Sequence, residues 1–331
     1  MPIYMDLHIA PGVTAKEVAE AHILDVKIQH QYLCKTMTYW LDEDKGCVFC
    51  LIEAPDKESV VKMHEKAHGL VPNEIILVDT NVVKAFLGRI TDPVNTIEQV
   101  ETSLKVFSDP ASRIILVTKI MDARLLQHAL GKERTGDLLL LYSTVVREMS
   151  RLHAEREVYL KEEGFVSSFT SAPQAMECAL SIQRKLLSCG AAIGLRIGLH
   201  AGVPVNKKSD TIFGTTIQFA QYLCSIGKPN QITISSVVKN LYKDNDLDLV
   251  MRQNDVRCLN SSEEHYLEEL IDTLGDHWQD AEFDIADFCR AMSISKPHRY
   301  RKCIAITGMS PNILLREYRL LRSLELLRHE D

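Results

Sequence analysis

The chain has 331 residues, 46% of them hydrophobic and 25% charged, which excludes a disordered protein and exceeds what one ordinary core accommodates. A net charge of -7 excludes a uniformly basic nucleic-acid coat while leaving room for a local basic surface. No apolar run approaches the ~18 residues of a membrane span, so several soluble modules and no membrane partner are expected.

Nine cysteines are scattered without the even spacing of a secreted disulfide framework, and the start MPIYMDLHIAPG lacks a basic segment followed by an apolar one. Reduced thiols and a cytoplasmic location are the expectation. PIYMDLHIA alternates as a strand, Pro11 and Gly12 break it, and Thr14 caps a helix reaching about Gln31. KTMTYWLDEDKGCVFCLIEAP reads as a hairpin turning at Asp44–Gly46, Asp56 caps a second helix ending near Gly69, and NEIILVDT closes the unit. This order is the split βαβ, or ferredoxin-like, arrangement. Cys47 and Cys50 form a C-x-x-C pair, but alternation sends them to opposite faces of their strand.

Asp6 and His8 share one face of the first strand, His22 lies on the first helix, and His64 and His68 stand one turn apart on the second. Such donors suit nickel or another divalent transition metal. Through MPIYMDLHIAPGVTAKEVAEAH, TYWLDEDKG, VFCLIEAP and HEKAHGLVPNEI, residues 1–80 resemble a small ferredoxin-like family described as nickel-binding or nickel-responsive. The resemblance implies a metal-sensing module. Units of this shape also pair through an exposed sheet or edge, so a homodimer is expected.

Residues 81–110, holding Pro93 and Pro110, read as a connector. A second α/β pattern occupies 111–243, with strands at Arg113–Lys119, Leu195–Gly202 and Gln231–Ser235, a hairpin at Glu157–Ser168, and helices at Thr135–Glu155, Ala172–Leu187 and Gly214–Ser225. Its blocks AMECALSIQRKL, LRIGLHAGVPV, IFGTTIQFAQYLC and PNQITISSVV resemble the class III adenylate/guanylate cyclase homology domain. That family holds two metals on paired aspartates. Their places read Lys119, in Val117-Thr118-Lys119-Ile120, and Glu163, in Glu162-Glu163-Gly164. The base-selecting lysine falls on Tyr159, and the transition-state asparagine and arginine fall on Gln218 and Tyr222. The resemblance therefore implies a cyclase-like module without cyclase catalysis, whose remnant cleft suits a nucleotide or other small molecule; Glu163 alone encourages a divergent cyclase.

Residues 244–276 read as a polar linker, and 277–331 as purely helical. Asp284 caps a helix to Met292, Ser293–Ser295 forms a turn, Lys296–Thr307 is a second helix, and Gly308 stops it. FDIADFCRAMSISKPHRYRKCIAITGMSPNILLREYRLLRSLELLRHED resembles the first half only of an AraC/XylS-type helix-turn-helix domain. The resemblance implies DNA contact by Lys296, His298, Arg299, Arg301 and Lys302, although Arg299 and Cys303 stand where that family usually buries larger apolar side chains. The expected whole is an α+β multi-domain protein: two ferredoxin-like α/β-sandwich modules, then an all-α helix-turn-helix module. Its expected role is transcription-associated regulation, the alternative being a metal-binding scaffold without DNA.

Overall fold

The computed structural model describes residues 1–93, 97–99, 104–120, 123–153, 159–161, 164–190, 193–242, 250–251, 255–292 and 296–329. Strand β1 (Ile3–Ile9), helix α1 (Ala15–Ile28), strands β2 (Lys35–Asp42) and β3 (Cys47–Glu53), helix α2 (Lys57–His68) and strand β4 (Glu74–Leu77) build a sheet ordered β2-β3-β1-β4. This is the anticipated ferredoxin-like order. Thr14 and Glu17 close a capping box on α1, and the Asp56 carboxylate accepts the Ser59 N–H at 2.7 Å to start α2. Strand alternation then divides the side chains. Tyr4, Val48, Cys50 and Ile52 face the helices, while Met5, Leu7, Phe49 and Leu51 face away.

Helix α3 (Thr80–Leu87) and a small antiparallel pair, β5 (Ile97–Gln99) and β6 (Leu104–Val106), occupy the segment read as a connector. Next come β7 (Arg113–Lys119), α4 (Ala123–Leu130), α5 (Lys132–His153), β8 (Tyr159–Lys161), β9 (Gly164–Phe169), α6 (Ala172–Ser188), β10 (Arg196–Gly202), α7 (Gly214–Ile226), β11 (Gln231–Ile234), α8 (Ser236–Leu241) and β12 (Val256–Cys258). The sheet runs β12-β11-β10-β7-β9-β8. Its β8-β9-β7-β10 part repeats the first module's strand order, and β11 and β12 extend it in parallel.

The outward face of the first sheet is not left to solvent. Met5, Leu7, Trp40, Phe49 and Leu51 share one buried cluster with Ile115, Val117, Val166, Phe213 and Ala220 of the second module. The open face that a ferredoxin-like unit offers for pairing is thus occupied within the same chain. The junction is pinned by Arg113, which is 0% exposed. Its guanidinium donates to the carbonyls of Phe86 (3.0 Å), Leu87 (3.4 Å), Pro110 (2.5 Å) and Ser112 (2.9 Å), capping the last turn of α3.

Helical structure resumes earlier than the linker reading anticipates, at α9 (Ser261–His277). Asn260 and Glu263 form a capping box, and Tyr266, Leu267, Leu270, Ile271 and Leu274 recur at helical spacing on a buried face. Helices α10 (Ile285–Ala291), α11 (Lys296–Thr307) and α12 (Pro311–His329) follow. Their Phe288, Cys303, Ile306, Leu314 and Tyr318 join α9 and Phe219, Leu223 and Ile226 of α7 in one core. Among the described residues, no helix is long and apolar enough to cross a membrane.

Beneath α7, the β10 residue His200 lies against the Phe219 ring at 4.4 Å, and its Nδ1 is sealed from solvent without a partner. Burial lowers its pKa to about 4. A depressed imidazole pKa stabilises the fold above the unfolded value of 6.5, and that contribution is lost as pH falls toward 4. We expect acid titration across this window to cost the wild type roughly 3 kcal/mol more than a His200→Leu variant. Parallel stability curves for the two proteins would refute the assignment.

Candidate metal centre

Register places Asp6 of β1 directly opposite Cys50 of β3, with His8 two residues along on the same face. Helix α2 lays His64 over this pair, and α1 brings in Asp25 from the other side. The His64 Nε2 lies 3.0 Å from Asp6 Oδ2, and its Nδ1 lies 3.1 Å from Asp25 Oδ1. His8 Nε2 stands 3.4 Å from Asp6 Oδ1, and His68 Nε2 stands 3.3 Å from Asp25 Oδ1. Asp6 and His64 are each 1% exposed, so the inner side of the cluster is closed to solvent.

Two groups of metal-type donors result, sharing His64: Asp6, His8, Cys50 and His64, and Asp25, His64 and His68. Within each group the donor atoms lie within 4.8 Å of one another. Donors bound at ~2.1 Å to one ion stand about 3 Å apart, near the 3.0 Å between His64 Nε2 and Asp6 Oδ2 and the 3.4 Å between His8 Nε2 and Asp6 Oδ1.

Hydrogen bonding distinguishes the two groups. Helix α2 stops at Gly69, whose φ of +79° returns the chain so that the Leu70 N–H donates to His68 Nδ1 at 3.2 Å. The His68 proton therefore resides on Nε2 and is donated to Asp25, so this ring offers the cluster no lone pair. Burial opposes charge on His64, but the Asp6 and Asp25 carboxylates outweigh it and hold its pKa up to about 10. Without a metal, His64 gives one proton to each carboxylate. Asp6 and His64 Nε2 would together hold an ion in place of the Nε2 proton, with Asp25 orienting the ring through Nδ1–H. Burial, only partly offset by Asp6, keeps the His8 pKa low and its ring in the neutral, ligating form. Burial also pushes the Cys50 thiol well above its usual range, so this sulfur would ligate only with a cation beside it to take the place of its proton. Asp6, His8, Cys50 and His64 thus fit a late first-row divalent ion, with Asp25 and His68 orienting His64.

Of the residues read from the sequence, the structure brings together Asp6, His8, His64 and His68, and it adds Asp25 and Cys50, which the sequence reading did not name as donors. The burial of Asp25 and Cys50, at 2% and 8% exposure, is a tertiary property. His22 is not brought into either group; its Nε2 stands 3.6 Å from Asp92 Oδ2.

Residues 4–78 match the family described as nickel responsive protein SCO4226-like. An uncharacterized protein of Mycobacterium tuberculosis strain H37Rv is 37% identical over 79 residues, covering 24% of this chain and 26% of that relative. The chain thus matches about a quarter of that relative's length. The crystal structure of SCO4226 from Streptomyces coelicolor A3(2) is similar at 31% identity, covering 23% of this chain and 94% of that one, with a TM-score of 0.22. The chain is also similar to the adenylyl cyclase CyaB from P. aeruginosa, at 18% identity over 40% of this chain and 81% of that one, TM-score 0.34. A bacterial light-regulated adenylyl cyclase covers 74% of this chain and 88% of its own at 13% identity, TM-score 0.36.

In the second module, Lys119 ends β7 opposite Arg196 of β10, so two cationic residues are register partners. Glu163 and the Tyr159 side chain lie outside the described residues. Gln218 and Tyr222 occupy α7, where the Tyr222 ring runs parallel to Tyr318 of α12, with centroids 6.3 Å apart. Burial and Tyr318 push the Tyr222 phenol pKa upward. In α11, Arg301 is exposed, whereas Lys302 turns inward with its Nζ 4.7 Å from the Tyr266 ring. The side chains of Lys296, His298 and Arg299 lie outside the described residues.

Proposed function

We propose that the chain is a metal-responsive regulator that binds a late first-row divalent ion, nickel first among them, and passes the bound state to a non-catalytic cyclase-like module. The observation carrying this reading is the double use of β1 and β3. Asp6, His8 and Cys50 supply the metal donors from one face, while Met5, Leu7, Phe49 and Leu51 pack on the second module from the other. A ligand that draws the donors together therefore acts on the strands forming the junction. The matched family's nickel-responsive description supports nickel as the ion.

The pseudoenzyme part rests on the Lys119 and Arg196 register pair, which repels a divalent ion, and on Tyr222 packed beneath α12. The cleft remains a candidate for a nucleotide or another small molecule, and pairing of two chains for its free edges. DNA contact through α11 is the proposed output, favoured by exposed Arg301; docking of another protein there is the second reading. One untagged preparation tests the whole. It should contain nickel by elemental analysis, form no cyclic nucleotide from ATP or GTP with magnesium or manganese, and retain genomic fragments in a salt-sensitive way. Absence of metal sinks the sensor reading, turnover lost in Glu163→Ala sinks the pseudoenzyme, and no retention at micromolar protein leaves the docking reading.

A further inference from the structure

Strand β3 sends a single metal-type donor to the helix side of the first sheet. Its other helix-facing residues, Val48 and Ile52, are apolar, and alternation turns Cys47, Phe49 and Leu51 to the opposite face. Register sets Cys50 opposite Asp6, and the Cys50 N–H donates to Asp6 Oδ1 at 3.2 Å. That bond fixes the carboxylate beside the cysteine, with its other oxygen 3.0 Å from His64 Nε2. Cys50 Sγ is one of four donor atoms lying within 4.8 Å of one another.

The other three members of this group are Asp6, His8 and His64, one carboxylate and two imidazoles. Nitrogen and oxygen donors of this kind take first-row divalent ions from manganese and iron(II) to nickel and zinc, and rank them only by the general order of affinity. Sulfur differs in kind. A thiolate bonds strongly to a polarisable late ion, at ~2.3 Å for zinc, whereas manganese, magnesium and calcium favour oxygen. Among the described residues, no other cysteine belongs to either donor group, so no second sulfur could take this place.

We infer that Cys50 is the specificity-determining donor of the metal centre, its sulfur favouring nickel, cobalt and zinc over manganese, magnesium and calcium. This deepens the metal-responsive reading and rests on it. Burial adds to the discrimination. A hard cation is best served by about six oxygen ligands, and this group offers it one carboxylate. Asp6 and His64 are each 1% exposed, so solvent does not supply the missing oxygens on that side. With its sulfur still protonated, Cys50 would leave such a cation three donors; as a thiolate it gives a late ion four.

The test titrates the full untagged chain with nickel and, separately, with manganese, whose binding is followed by electron paramagnetic resonance. Nickel-loaded wild type should show a near-ultraviolet thiolate-to-metal charge-transfer band that Cys50→Ser lacks. Cys50→Ser should lower nickel affinity at least about a hundredfold and manganese affinity less than about threefold, shrinking the nickel preference more than His8→Ala does. Cys50→Asp, which offers a hard donor of the thiolate's charge, should bind manganese at least about tenfold more tightly than the wild type. Circular dichroism checks the fold of each variant, and the band in the wild type needs no variant. Nickel bound without that band overturns this inference and leaves Asp6, His8 and His64 as the centre. A preference unchanged in Cys50→Ser, or no gain of manganese in a folded Cys50→Asp, overturns it as well. A wild type that takes up no nickel overturns the metal reading and this inference together.

Discussion

Nickel affinity should fall at least about a hundredfold in His8→Ala or Cys50→Ser, and about ten- to a hundredfold in Asp25→Asn, with little change in Glu20→Ala on the exposed side of α1. The first two substitutions remove donors of the buried group; the third removes the carboxylate that orients His64. His64→Ala should abolish binding, but it also leaves Asp6 and Asp25 facing each other without their shared cation. That loss is worth roughly 3–5 kcal/mol of stability, so a His64 result alone cannot separate a lost ligand from a weakened fold. The ranking of the other variants does separate them. Calorimetry in which His68→Ala binds nickel worse than His8→Ala would move the ion to the Asp25, His64 and His68 group, while unchanged affinity in all of them would make the cluster a purely structural hydrogen-bond network.

Replacing Arg113 by alanine should destabilise the chain by roughly 3–5 kcal/mol, a large fraction of a domain's stability. Its guanidinium is fully buried and serves four carbonyls at the end of α3 and the start of β7, two of them, on Phe86 and Leu87, at the junction between modules. Unsatisfied buried acceptors each cost about 1–3 kcal/mol. Arg113→Lys should recover only part of the loss, since an ammonium cannot reproduce the planar fork. Because the same side chain ties α3 to the second sheet, the alanine variant should also unfold in two steps by denaturant, the first module separating from the second. A loss below about 1 kcal/mol, with a single transition retained, would show that the apolar junction holds without it.

Much of the fold was legible in the residues themselves. Alternation in PIYMDLHIA and CVFCLIE, the caps at Thr14 and Asp56 and the stop at Gly69 fix strands and helices through local chemistry, which depends only on neighbours in sequence. The helix beginning at Ser261 was local too, but polar Ser261 and Ser262 beside Asn260 disguised a capping box as a linker. For the metal site, alternation determined that Asp6 and His8 share a face, and helical period determined that His64 and His68 stand together. Only tertiary structure decided which of these meet. Asp25 enters the cluster because α1 packs beside α2, His22 leaves it because the same helix turns that residue toward Asp92, and Cys50 enters through its register with Asp6. The opposite face of the sheet was equally undecided in sequence. Met5, Leu7, Phe49 and Leu51 announce an apolar surface, but whether a second chain or the same chain covers it depends on contacts between residues more than sixty positions apart, which no local pattern encodes.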